Sequence, residues 1–438
     1  MAVERGQAHS DALLRARGVS ALAGADRNLT TALVLGVLRW QLLLDEAVRG
    51  LLTRPNAKLD DEVRVALRLG ALQLMRMDRI PARAAIDESV ELVKQAGHRF
   101  AAGMVNAVLR KLAAQTRKEL PETTAAEIAR KYAHPAWMVE RWAKFYGLEG
   151  ARTICAHGQR QPALAVRVRD EARLGELEAE GVRLERGALL KAARRVAAGD
   201  VTATAAVGEG RARVQDEGSQ LVAEMAGGAS VPSGQTAILD CCAAPGGKTL
   251  ILAERNPEAR IVACEASEPR LKQMRERLAA AGTRVECRLE DAAALTDEAA
   301  YDMVLADVPC SGTGTLGRNP EIRHRLCVED LAKQSARQRA ILKASLLAVR
   351  PGGRVLYSTC SLEPEENEQV VNAVLAGQAD VRVTPVRGRV QELLAAGVVR
   401  DEAVDRLRGC ETAEGFLRLL PGAFDTDGFF VALIERVR

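Results

Sequence analysis

Tyr301-Asp-Met-Val-Leu-Ala-Asp307-Val-Pro-Cys310-Ser-Gly-Thr-Gly314 is the stretch that decides the fold. Its first six residues form an apolar run closed by a turn signal, the pattern of a short buried strand. The run ends in a carboxylate, a proline and a cysteine, then opens into a Gly/Ser/Thr loop. Ligands of open α/β sheets sit at the carboxyl ends of the strands. Asp307 and Cys310 are therefore active-site candidates. A second run, Gly353-Arg-Val-Leu-Tyr-Ser-Thr359, ends the same way at Cys360. The two thiols are expected to face one substrate across the top of one sheet.

Around these runs, strands are expected at 237–242, 260–265, 284–288 and 428–435. Helices are expected at 248–254, 268–280 and 333–349. The alternation predicts a doubly wound parallel sheet. Asp240-Cys-Cys-Ala-Ala-Pro-Gly-Gly-Lys-Thr249 joins its first strand to its first helix. Gly246 and Gly247 let the backbone approach a ligand closely. The helix N-terminus offers N–H groups to an anionic end. A phosphate-binding Walker loop fails at Cys242, where the first glycine belongs, and Gly-x-Gly-x-x-Gly is absent. Glu265 closes the second strand, where an acid accepts hydrogen bonds from ribose hydroxyls. Asp291 follows the third strand and is expected near an adenine amino group. Three acids, Glu265, Asp291 and Asp307, at successive strand ends point to an adenosyl ligand.

Residues 3–148 read as almost all helix, with apolar positions every three or four residues, as in a helical bundle. His98 and His134 are isolated and read as structural or solvated. Arg39, Arg99, Arg110 and Lys111 are candidates for phosphate contact, although solvated charge is the commoner case. Residues 151–214 read as a small βαβ-like module: a strand over 161–169, a helix over 174–181 and a strand over 201–207. Its candidates for contact with a nucleic-acid backbone are Arg167, Arg169, Arg194 and Arg195.

The 438 residues are enough for two or three domains. Net charge is only +4, but residues 1–150 carry 23 Lys/Arg against 17 Asp/Glu, while 215–438 carry 27 against 33. A basic front suggests an acidic partner, and ordinary surface drift explains such values equally well. All nine cysteines lie at or after Cys155, without Cys-x-x-Cys pairs or zinc spacing, so no metal is expected. Cys155, Cys264, Cys287, Cys327 and Cys410 read as small core hydrophobes. The start of the chain lacks an apolar signal segment, and no run approaches a membrane span. A cytoplasmic chain with reduced thiols is expected, and a monomer by default.

Gly36-Val-Leu-Arg-Trp40 and Asn106-Ala-Val-Leu-Arg-Lys111 resemble the NusB-like RNA-binding helical domain. The segments 240–249, 307–314 and 359–367 together resemble the motif set of RNA cytosine-C5 methyltransferases of the Sun/Fmu type. Val214-Gln-Asp-Glu-Gly-Ser-Gln-Leu matches the lead-in to that domain, and Leu420-Pro-Gly with Asp427-Gly-Phe-Phe-Val-Ala its closing strand. The NusB-like front narrows the resemblance to members acting on small-subunit ribosomal RNA. The resemblance implies a NusB-like domain at 1–148, a small RRM-like α+β module at 149–214 and a Rossmann-like catalytic domain at 215–438. It implies S-adenosylmethionine as cofactor, held by Cys242, Ala243, Ala244, Pro245, Gly246, Gly247, Lys248, Glu265, Asp291 and Asp307. Glu265 stands where Asp is commoner and accepts the same bonds. Cys360 is the implied nucleophile, Asp307 also touches the base, and Cys310, helped by Lys248, assists release. Residues 375–410 look longer and richer in Arg and Val than this pattern, and the sequence gives them no role. Three alternatives stay open. DNA cytosine-C5 methyltransferases use a Pro-Cys nucleophile, which would be Cys310. The substrate would otherwise be transfer RNA or large-subunit RNA. A non-catalytic RNA-binding or antitermination factor would keep the fold alone.

Overall fold

The computed structural model describes residues 1–6, 8–56, 58–116, 119–168, 170–228 and 236–437. They form two compact units, Met1–Gln161 with Leu316–Leu326, and Pro162–Thr315 with Cys327–Arg438.

The first unit is helical. Its long helices are Gly24–Arg49, Asp61–Arg76, Ala82–Gln95, Ala102–Ala113 and Ala136–Gly158. The apolar stripes of the first four meet in a core that includes Leu44, Leu67, Ala71, Val93, Val105 and Leu109. The expected boundary at 148/149 falls inside the last helix, next to its non-helical residue Gly147. The segment Leu316–Leu326 also belongs here. The Arg323 guanidinium donates to the carbonyls of Arg39 (3.1 Å) and Gly158 (3.0 Å), and Ser10 Oγ donates to Glu321 at 2.9 Å. Arg39 is not a phosphate-facing residue: it is buried and donates to the Gly317 carbonyl at 2.7 Å. Arg99, Arg110 and Lys111 are exposed. His134 is buried, with Nδ1 2.7 Å from the Tyr132 carbonyl.

The second unit begins with a four-stranded sheet: β1 (Ala165–Arg167), β2 (Arg183–Arg186), β3 (Ala193–Ala198) and β4 (Arg213–Val214), in the order β2-β3-β1-β4. All its pairings are antiparallel. The strand expected at 201–207 is instead a 3₁₀ turn, Val201–Ala203, followed by the helix Ala205–Gly208. The Asp200 and Thr204 side chains accept backbone N–H groups at these starts, so local capping overrides the alternating pattern. Arg167 is not free to meet a nucleic acid. It is buried and paired with Glu224 and Glu254, each at 2.8 Å. Arg195 pairs with Glu185, and Arg194 donates to the Lys191 carbonyl. Arg169 lies outside the described residues.

The large sheet comprises β5 (Ala237–Asp240), β6 (Arg260–Glu265), β7 (Glu286–Leu289), β8 (Tyr301–Asp307), β9 (Val349–Thr359), β10 (Val381–Thr384), β11 (Leu417–Leu419) and β12 (Phe429–Arg436). Its order is β10-β12-β9-β8-β5-β6-β7, with β11 on β12. β5 to β9 are parallel, as expected, but β12 enters antiparallel between β9 and β10, so the sheet is mixed. Side chains alternate between two buried faces. Ile238, Met303, Leu305, Leu356 and Val431 pack on one, and Leu239, Val304, Val355, Tyr357 and Phe430 on the other. Burial on both sides explains why these strands read as continuous apolar runs. The helices Glu217–Ala226 and Gly247–Arg255 cover the first face, and Val328–Ala348 and Glu368–Leu375 the second.

The segment without a role in the sequence is a structural bridge. Val386, Val390, Leu393 and Leu407 share one core cluster with Leu189 and Leu190 beside the small sheet. Backbone bonds from Lys191 N to Val398 O and from Arg400 N to Leu189 O, both 2.9 Å, join the two. No helix among the described residues is long and apolar enough to cross a membrane.

Candidate active site

The strand order reverses between β8 and β5, and ligands of such sheets bind at that switch point. Asp240, Glu265, Asp307 and Thr359 are the last residues of β5, β6, β8 and β9. The loop after β5 is fixed by bonds from Ala243 N to Cys264 O (2.9 Å) and Gly246 N to Ala243 O (2.7 Å). Arg270 and Arg277, from the helix Glu268–Ala280, donate to the carbonyls of Ala244 (3.0 Å) and Pro245 (3.3 Å). Gly246 sits at φ +92°, and a Cβ there would lie 3.2 Å from Met274 Cγ, so glycine is required. It precedes the helix Gly247–Arg255, whose N-terminus has no side-chain cap. Those amides remain available to an anionic group.

Asp240 lies buried at the root of this loop. Its Oδ2 accepts from Thr249 Oγ1 at 2.7 Å, while Oδ1 has no partner. Burial, reinforced by the nearby Asp307 charge, raises its carboxyl pKa to about 7. The buried Glu265 accepts from Ser267 N at 2.9 Å and pairs with Arg270 at 3.2 Å. Asp291 is exposed two residues beyond β7, and its Oδ1 accepts from Ala293 N at 3.0 Å. An orphaned buried oxygen, uncapped helix amides and a strand-end acid match the ammonium, carboxylate and ribose of S-adenosylmethionine.

The second cluster joins β8, β9 and the first helix. Lys248 Nζ donates to Asp307 Oδ2 at 2.7 Å, and Ser358 Oγ donates to Asp307 Oδ1 at 2.7 Å. Burial opposes the lysine's charge, but Asp307 outweighs it and holds the ammonium above the ordinary lysine range. Cys310 Sγ lies 3.4 Å from Cys360 Sγ, and both thiols are free. The hydrogen bond to Cys360, then burial, push the Cys310 thiol well up, with the charges of Cys360 and Glu366 adding to the effect. Cys242, half-buried in the cofactor loop, is pushed up as well, first by its contact with Cys241 and then by burial. Cys327 departs from expectation: it is exposed and starts the helix Val328–Ala348, its N–H donating to Asp330 at 3.2 Å.

Thus Lys248, Asp307, Cys310 and Cys360 are brought together, and the loop 242–247 with Glu265 forms the neighbouring cradle. Sequence reasoning assigned no role to Ser358, Glu366 or Gln338. Glu366 lies in the polar run after β9, which was itself a signal, and Ser358 is the last residue but one of β9. Gln338 reaches the site from mid-helix, and its sequence pattern carries no sign of that.

A Rossmann-like sheet with this loop, these acids and this thiol pair defines an S-adenosylmethionine-dependent methyltransferase. Comparison with known proteins makes the assignment narrower. The 16S rRNA methyltransferase RsmB/F family matches residues 230–435, the NusB family residues 4–114, and the ferredoxin-like domain of RsmF/B-like methyltransferases residues 134–200. The probable ribosomal RNA small subunit methyltransferase B of Bacillus subtilis is 32% identical, over 99% of this chain and 96% of its own length. The ribosomal RNA small subunit methyltransferase B of Xanthomonas campestris is 32% identical, over 96% and 92%. The chain belongs to the RsmB/F family of 16S rRNA methyltransferases. Among solved structures, PH0851 superimposes with a TM-score of 0.79 at 24% identity, covering 99% of this chain and 96% of that one. A methyltransferase homologue from Pyrococcus horikoshii gives 0.57 at 24% identity, covering 72% and 100%. Both share the fold.

Proposed function

We propose that the protein methylates carbon 5 of one cytosine in small-subunit ribosomal RNA, through a covalent bond between Cys360 and carbon 6 of the base. The observation that carries this reading is the pair of free thiols 3.4 Å apart beside the Lys248–Asp307 pair. Carbon 5 of cytosine is too weak a nucleophile to take a methyl group unaided. Attack by the Cys360 thiolate opens the C5–C6 double bond and makes carbon 5 enamine-like. Asp307, held by Lys248 and Ser358, accepts from the N4 amine of the ring, and the Lys248 ammonium beside it offsets the negative charge that the attack puts on the ring. Bound S-adenosylmethionine supplies the electrophilic methyl group. The loop 242–248 with Glu265 and Asp291 would hold that cofactor beside the thiol pair.

Release requires a base for the carbon 5 proton. We assign this role to Cys310, whose sulfur lies 3.4 Å from that of Cys360 and which acts after its own proton has passed to solvent. Its thiolate then takes the proton from carbon 5, the double bond re-forms, and Cys360 leaves as a thiolate. The base must be unpaired or flipped out to reach the thiols, which suits a structured RNA met in the cytoplasm. The exposed Arg99, Arg110 and Lys111 are available for phosphate contact.

The test incubates wild type, Cys360→Ala and Cys310→Ala with cofactor and unmodified small-subunit RNA, followed by a denaturing gel. Cys310→Ala is expected to accumulate a covalent protein–RNA adduct, and Cys360→Ala to form none. The reverse pattern would make Cys310 the nucleophile, as in the DNA enzymes. No adduct, and no methyl transfer by wild type, would point to another RNA or to a binding factor.

A further inference from the structure

Glu366 is fully buried, at 0% exposure, and neither the cofactor cradle nor the chemical steps above use it. Four donors converge on its carboxylate. Ser311 N (2.8 Å) and Gln338 Nε2 (3.0 Å) donate to Oε1, and Ser361 Oγ (2.5 Å) and Ser311 Oγ donate to Oε2. All four are neutral groups. A buried carboxylate is costly to keep without this number of donors. Three further bonds fix the surroundings. Tyr357 OH donates to the Glu366 carbonyl at 2.6 Å, Gln338 Nε2 donates to the Pro309 carbonyl at 2.9 Å, and Gly314 N donates to the Cys360 carbonyl at 2.9 Å.

The placement of the donors is the informative part. Ser311 follows Cys310 and Ser361 follows Cys360. One carboxylate therefore holds the residue after each thiol, and through Gln338 also the residue before Cys310. We propose that Glu366 is the positioning residue of the thiol pair: its two oxygens tie the loop after β8 to the loop after β9 and so set how Cys360 is presented to the base. A plain folding role predicts that any filled, hydrogen-bonded core would serve. A positioning role predicts that length matters. Glu366→Asp keeps the charge but, one methylene shorter, does not reach both serines. Glu366→Gln keeps the length, and the serine hydroxyls rotate to accept from its amide.

The proposal rests on Cys360 being the nucleophile, so the test is run in the adduct-accumulating Cys310→Ala protein. The readouts are the rate of adduct formation and, separately, S-adenosylmethionine affinity by calorimetry. Adding Glu366→Asp is expected to slow adduct formation about tenfold or more, as a misplaced nucleophile does, with cofactor affinity within about twofold. Adding Glu366→Gln is expected to leave the rate within about threefold of the Cys310→Ala parent. An unchanged rate with Asp, a Gln variant as slow as the Asp one, or a parallel loss of cofactor affinity overturns the proposal. No adduct in Cys310→Ala itself overturns the nucleophile assignment instead.

Discussion

Asp240 shows how one residue couples fold and site. Its carboxyl rises from an ordinary 3.8 to about 7 because it is buried, with the charge of Asp307 adding to the effect. The folded chain then holds this proton more tightly than the unfolded chain. The stabilising contribution is complete below about pH 4 and is lost as pH rises through about 7. Asp240→Asn is isosteric and keeps an oxygen for the Thr249 hydroxyl, so it removes the titration without emptying the site. Comparing urea unfolding of the two proteins, the advantage of the Asn variant is expected to grow by about 2–3 kcal/mol between pH 5 and pH 8. A constant difference would mean that Asp240 is already ionised in the fold. The same reasoning separates residues that the sequence shows plainly from those it hides. Cys310 and Cys360 stand out because each follows an apolar strand in a polar loop. The burial of Arg39 and Arg167 is hidden, because their acceptors lie far away, at Gly317, Glu224 and Glu254.

The strands that carry the site were legible because they are buried on both faces. The strand Arg260–Glu265 and the helix Glu268–Ala280 lie where the pattern put them. The antiparallel entry of β12 was not legible, since strand direction depends on the path of residues 386–428 and not on the strand's own composition. That entry matters locally. Gly314, in the Cys310 loop, lies between the Cys360 carbonyl after β9 and the Gly428 carbonyl before β12. A Cβ on it would stand 2.8 Å from Cys360 O and 2.5 Å from Gly428 O. Both obstacles are backbone, held by the Gly314 N to Cys360 O and Gly428 N to Gly314 O bonds at 2.9 and 2.8 Å. Gly314→Ala is therefore expected to cost about 1–3 kcal/mol of stability, as overpacking does. It is also expected to slow methyl transfer, because the loop that moves carries Cys310. Urea unfolding and a transfer assay check the two parts, and a variant with wild-type stability would show that the loop yields freely.

At the scale of the whole chain, the division into two units does not follow the order of the sequence. Leu316–Leu326 leaves the catalytic unit after the Cys310 loop, belongs to the helical unit, and the chain returns at Cys327. Nothing in residues 1–161 announces a missing piece, because most of the groups that receive it are backbone carbonyls, which every residue possesses. Arg323 is the centre of this insertion. Its side chain is buried and donates to the carbonyls of Arg39, Ala133, Gly158 and Leu316, with no carboxylate among these partners. Burial, opposed by Cys155 and aided by the Arg39 charge, lowers its pKa to about 9, so it stays charged at neutral pH. The planar fork of five N–H groups is what lets one side chain serve four acceptors. Arg323→Met fills the space but removes the four hydrogen bonds to those carbonyls, at an expected cost of about 3 kcal/mol or more. Arg323→Lys is expected to recover little, since an ammonium is a point donor and lacks the fork. The three tryptophans, Trp40, Trp137 and Trp142, all lie in the helical unit, so fluorescence during urea unfolding reports on it alone. A lower midpoint for both variants is the expected result. A wild-type midpoint would show that the helical unit holds together without this insertion, and that residues 316–326 follow its fold without supporting it.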